Sequence, residues 1–325
     1  MKNIIEYYRI PNVITDIEKH KGILIKITDN PEFLCSLVQG LLLHDNGVEF
    51  YKTQFKEELQ FHPINMEELI DEIIKIDSDY ITTPRVPNKR VITSCREFAT
   101  LSCALLRFKG ISSRCRVGFP LYINVYDGFI AEHWVTEYWD GIKWVRIDTQ
   151  IDAMQLSAFQ RKGMIEIETI CDGEMQYSFS NPHNLTDHDF IIAGRAWLNV
   201  RRGFTPAERF RYYHSSGLNY IKGELLRDFN ALNKIEFQTH NVVINQGYNW
   251  NSWQLMSTPV TELSKRDYEL LDYIAEISLD VDKHFDEIRT IFDNCSDLQI
   301  PQNILNNKRR ISNKIPEQAL LDVMD

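Results

Sequence analysis

Residues 94–110, SCREFATLSCALLRFKG, and residues 132–148, EHWVTEYWDGIKWVRID, decide the fold. In the first stretch Ser94 and Glu97 stand three apart, the Ser-x-x-Glu spacing in which a cap hydroxyl and a carboxylate satisfy the free N–H groups of a helix start. Cys95 then occupies the first helical position. Phe98, Leu101, Leu105 and Phe108, with Ala99 and Leu106 beside them, form an apolar face, and Gly110 is placed to end the helix. The pattern predicts a buried helix whose N-terminus opens on a cleft. A thiol there feels the positive helix pole and unpaired N–H groups, which favour thiolate, and the same N–H groups can donate to an oxyanion. An isolated cysteine is by default a small buried apolar residue. Cys103, mid-helix among apolar neighbours, reads that way.

The second stretch is rich in aromatic and β-branched residues around Asp140-Gly141, a strong signal for a hairpin with a two-residue type I′ turn. In that register Trp139 faces Ile142, Glu137 faces Trp144 and His133 faces Asp148. Directly opposite side chains have Cβ atoms about 4.5 to 5.5 Å apart. An aspartate there can accept the proton of one imidazole nitrogen and leave the other free to take a proton from a thiol. Between the two stretches, residues 112–119 (SSRCRVGF) alternate Cys115, Val117 and Phe119 against Arg114 and Arg116, which predicts one strand.

A helix-start cysteine, a strand and a His-Asp hairpin in this order resemble the transglutaminase-like superfamily, which shares with papain-type enzymes a cysteine on a helix start followed by histidine and aspartate on neighbouring strands. The matching stretches are SCREFATLSCALLRFKGISSRCRVGF and EHWVTEYWDGIKWVRIDTQID, about residues 94 to 152, including the Gly110-Ile111-Ser112 turn and the pair Trp139 and Trp144. The resemblance implies Cys95 as nucleophile, His133 as base and Asp148 as the residue that orients it. It also implies a thioester passed to water or to an amine, with a peptide, protein or small-molecule amide as substrate. The blocks IIAGRAWLNVRRG and ELLRDFNALNK further resemble a bacterial branch of that superfamily. A binding or assembly protein that keeps this fold is the alternative reading.

Outward from this core, Asn30-Pro31-Glu32 before FLCSLVQGLLLH predicts a helix over 31–44, and Met66, Leu69, Ile70, Ile73 and Ile74 give a second helical face. Residues 78–92, with two prolines and no steady period, read as an extended approach to the Cys95 helix. Beyond about residue 185 the signals turn helical: Thr205-Pro206-Ala207-Glu208 reads as a capping box, and residues 217–235 and 263–277 have helical apolar spacing. Residues 306–325, polar with a short apolar end, read as a frayed tail, with a docking peptide as the second reading. The expected class is α+β, a nucleophile helix on an antiparallel sheet, with a mainly helical C-terminal extension. The expected units are an N-terminal segment (1–60), a catalytic core (61–185) and a helical region (186–325).

Among 325 residues, 43% hydrophobic and 25% charged content describe an ordinary globular chain, and the length suggests roughly two units. The net charge of −10 disfavours a grip on a nucleic-acid backbone. No apolar run approaches the roughly eighteen residues of a membrane span, and MKNIIEYYRIPN lacks a signal-peptide core, so a cytoplasmic protein with no membrane partner is expected. Six dispersed cysteines with no C-x-x-C pair argue against a disulfide framework or zinc knuckle. Residues 280–287 (DVDKHFDE) lack the glycine and alternating ligands of a calcium loop, and His183 and His188 have no metal-ligand company. No cofactor is expected.

Overall fold

The computed structural model of the chain describes residues 2–51, 61–77, 81–123, 129–161, 181–212, 214–237 and 253–302. Helix α1 (Lys2–Arg9) and a single turn, α2 (Lys21–Leu24), precede α3 (Pro31–Leu41), β1 (Leu42–His44) and α4 (Met66–Ile76). Strand β2 (Val91–Thr93) leads into α5 (Cys95–Phe108), β3 (Ser113–Pro120), β4 (His133–Trp139), β5 (Trp144–Ile147) and α6 (Ala153–Arg161). Then follow β6 (Phe190–Ile192), α7 (Ala193–Arg201), α8 (Gly217–Leu232), α9 (Gln254–Ser257), α10 (Lys265–Ile277) and α11 (Val281–Asn294). The architecture is α+β, with an antiparallel sheet ordered β5-β4-β3-β6 at its centre. The polar tail expected over 306–325 and Cys171 lie outside the described residues.

Local chemistry explains the first elements. Asn30 accepts from the Phe33 N–H at 2.9 Å and starts α3 with Pro31 at its first position; Asn65 does the same for α4 through Glu68. The helix expected over 31–44 ends at Leu41, because Leu42–His44 pair in parallel with Val91–Thr93 as β1 and β2. Strand pairing wins over helical spacing there, and the segment before α5 contains both a 3-10 turn, Pro87–Lys89, and this strand.

Strand β3 is buried along its whole length. Cys115 and Val117 pack with Cys95, Ala99 and Trp134, while Arg114 and Arg116 reach Asp282 and Asp228 from α11 and α8. The second set of contacts explains how a strand with two arginines can be central: its cations are paired by the C-terminal helices.

The hairpin differs from expectation. Trp139 pairs with Trp144, Glu137 with Arg146 and Thr136 with Ile147, so the connection is the four-residue Asp140–Lys143 and not the two-residue turn. The Asp140 carboxylate accepts the N–H groups of Ile142 (2.7 Å) and Lys143 (2.8 Å), with Gly141 at φ +103°, and so caps a wider loop. The longer loop places Arg146 3.0 Å from Glu137 and sets the two tryptophan rings edge to face at 5.6 Å. The slip amounts to two residues, one full side-chain period, so His133 and Asp148 keep a common face without being direct cross-strand partners.

Two C-terminal expectations also change. Phe190–Ile192 forms β6, pairing Gly118 with Ile192 as the fourth strand of the sheet. No α-helix starts at Thr205-Pro206; Ala207–Arg209 makes one 3-10 turn, after which backbone hydrogen bonds between Ile130 and residues 209 and 211 hold the chain extended. The other helical segments form α8 and α10. The main apolar core gathers Phe119, Trp197, Phe210, Leu225, Phe229 and Ile274 beneath them.

Candidate active site

Helix α5 begins at Cys95, and its start is built around Glu97. This fully buried carboxylate accepts from the Ser94 N–H (3.1 Å) and hydroxyl (2.7 Å), from Thr93 (2.9 Å) and from Arg96 (3.2 Å), with His62 at 3.4 Å. Burial works against its ionisation, but His62, Arg96 and Ser94 outweigh it and hold the carboxyl far below the usual range. Arg96, also fully buried, donates to the carbonyls of Pro63 (2.7 Å), Ile64 (2.6 Å) and Glu236 (2.8 Å). The helix start is therefore tied to chain segments on both sides of it in sequence.

His133 opens β4, and its Nε2 lies 2.8 Å from Oδ2 of Asp148, just beyond the end of β5. Both residues are buried. Oδ2 also accepts from the Tyr122 hydroxyl at 2.7 Å, and Oδ1 from the backbone N–H of Gln150 at 2.8 Å. Burial opposes charge on Asp148; the imidazole of His133 and the hydrogen bonds from His133, Tyr122 and Gln150 prevail and lower its pKa. Tyr122 gave no signal in the sequence, since it lies in an aperiodic loop and meets Asp148 only through the tertiary fold.

Cys95, His133 and Ser94 line one cavity of about 70 Å³, walled from upstream by residues 44–47 and from downstream by Gln150 and Gln155. Cys95 is 5% exposed, and its thiol accepts from the backbone N–H of Trp134. Burial, and then the nearby Glu132 carboxylate, push this thiol up, against the Trp134 hydrogen bond. The sequence expectation of a thiolate favoured by the helix start is thus reversed in this closed arrangement, because desolvation and negative neighbours outweigh one backbone donor. Glu132 is paired with the Tyr220 hydroxyl and donates its own N–H to it at 2.7 Å. Burial raises its pKa. Asp45, 2.9 Å from His44, is held down despite burial.

Cys103 lies in the apolar interior with its sulfur 3.5 Å from that of Cys115. No group of three or more His, Cys, Asp or Glu among the described residues could hold a metal ion. No helix among them is long and apolar enough to cross a membrane.

Comparison with known proteins matches residues 75–149 to the family described as the Transglutaminase-like superfamily. Among solved structures, a candidate cysteine protease from Cytophaga hutchinsonii is similar at 18% identity and a TM-score of 0.30, over 45% of this chain and 42% of that one. This chain thus spans less than half of that protein's length in the alignment. No curated protein matches. The matched stretch runs from the end of α4 through α5, β3, β4 and β5 to Asp148 and Thr149. Residues 75–149, the segment that carries Cys95, His133 and Asp148, are thus similar to the transglutaminase-like superfamily.

Proposed function

We propose that the protein is a cysteine-dependent amide hydrolase or acyltransferase in which Cys95 attacks a carbonyl, His133 accepts the thiol proton and Asp148 orients the histidine. The observation that carries this reading is that His133, which lines the same cavity as Cys95, has its Nε2 held by the buried Asp148 at 2.8 Å. With Nε2 held by the carboxylate, Nδ1 is the nitrogen left to take a proton. The Sγ–carbon bond forms as that proton moves to His133; the proton then passes to the leaving amine as the C–N bond breaks, leaving a thioester on Cys95. Water or an amine then takes the acyl group. The Cys95 N–H at the start of α5 can donate to the oxyanion, and Asn46 on the upstream wall carries an amide suited to a second donor.

The wall chemistry favours an amide with a neutral or cationic surround. Asp45 and Glu132 line the cavity, no lysine or arginine is among its described wall residues, and Gln150 and Gln155 each carry a buried side-chain oxygen without a partner among the described residues. Such oxygens suit a ligand that brings N–H groups. The reading is tested by acid-quenched intact-mass analysis after incubation with a library of peptide amides and acyl amines. An acyl adduct that maps to Cys95 and is absent from Cys95→Ala is expected. Turnover undiminished in Cys95→Ala would reject the reading.

A further inference from the structure

A second cavity, of about 220 Å³, shares none of its described wall residues with the thiol cavity. Four guanidinium groups line it: Arg114 and Arg116 from β3, Arg146 from β5 and Arg195 from the first turn of α7. Two carboxylates, Glu137 and Asp187, share that wall.

The charges are not equally fixed. Glu137 is buried and bonded to Arg114 (2.7 Å) and Arg146 (3.0 Å), with Arg116 at 3.7 Å, so one anion is shared by three cations. Arg116 is further held by both carboxylate oxygens of Asp228, at 3.0 and 2.8 Å. The outer edge of Arg146 meets Asp187 at 3.1 Å, but that carboxylate is 85% exposed. A pair with so exposed a partner contributes little and is readily exchanged. Arg195 is exposed and has no hydrogen bond or ion pair among the described residues. The wall therefore offers one guanidinium unpaired among the described residues and, on Arg146, one outer nitrogen, Nη1, that is only loosely held, its Nε and Nη2 being fixed on Glu137. Guanidinium forks match the paired oxygens of carboxylates and phosphates, and the volume leaves room for such a group with some of its waters.

We propose that this cavity binds a small oxyanion, a carboxylate or a phosphate, gripped by Arg195 and by the Nη1 edge of Arg146 that Asp187 covers. The proposal stands independently of the thiol chemistry. Its test is calorimetric titration of the full chain at low ionic strength with inorganic phosphate and, separately, with succinate. Saturable one-site binding of at least one anion is expected, and which one binds distinguishes the two sources. Arg195→Gln, at an exposed residue without partners among the described residues, should weaken binding about tenfold or more, the loss of one charge-assisted contact. Asp187→Asn should tighten it by removing the internal competitor. Failure of both anions to saturate, unchanged affinity in Arg195→Gln, or weaker binding in Asp187→Asn would overturn the proposal.

Discussion

Asp148 shows how a single side chain can hold its charge in the interior. Its lowered pKa rests on donors from three parts of the chain, and Tyr122 is the one that can be removed without touching the histidine. Tyr122→Phe should lower turnover about tenfold, and Asp148→Asn by at least about a hundredfold, because an amide cannot stabilise an imidazolium and selects the wrong tautomer. Steady-state kinetics on an amide substrate checks the order of the two effects. Because the folded carboxyl titrates below its unfolded value of about 3.9, its contribution to stability is complete above that value and is lost as pH falls through the folded pKa. Urea unfolding between about pH 5 and pH 2 should therefore show a shallower acid loss in Asp148→Asn than in the parent chain. The approach of His133 to Asp148 was legible in the sequence because side-chain alternation survives a two-residue slip. Tyr122, the Trp134 N–H and the raised Cys95 thiol were not, since each depends on what packs around it.

At the level of elements, α5 was legible almost residue for residue, from the Ser94–Glu97 spacing to Gly110 at φ +77°. Its cues are local. The short strands were not: β1, β2 and β6 are three residues each and exist because a distant segment offers them a backbone partner. Gly118 marks the tightest of these approaches, pairing with His133 on one side and Ile192 on the other. A Cβ there would run into the Ile191 carbonyl oxygen and come within 2.8 Å of the Phe190 ring and 2.9 Å of the Ile192 Cα. Gly118→Ala should thus push β6 from the sheet and destabilise the fold by about 1 to 3 kcal/mol or more, as overpacking does. A fall in the urea midpoint, accompanied by faster amide exchange at residues 190–192, is the expected reading; an unchanged midpoint would show that β6 can step aside at no cost.

Across the whole molecule, the chain after residue 190 supplies carboxylates to cations buried in the core before it. Asp228 on α8 accepts from Arg116 through both oxygens and from the Val117 N–H at 2.8 Å, and Glu236 meets the buried Arg107 at 3.1 Å. Removing one partner of such a pair strands the other charge. Asp228→Ala should cost about 3 to 5 kcal/mol by urea denaturation, while loss of the exposed pair Arg202 with Glu276 should stay below about 1 kcal/mol. The sequence announced helices in this region but not their partners, because ion pairs between residues more than a hundred positions apart leave no periodic trace. The grip of Arg96 on the Glu236 carbonyl has a further consequence for biosynthesis. Translation delivers residues 95, 133 and 148 to the nascent chain long before residue 236. The Arg96 guanidinium, one position after Cys95 in the chain, therefore lacks its final acceptor until about ninety further residues have followed Asp148 in synthesis, so the start of α5 is completed only by a segment made long after the hairpin.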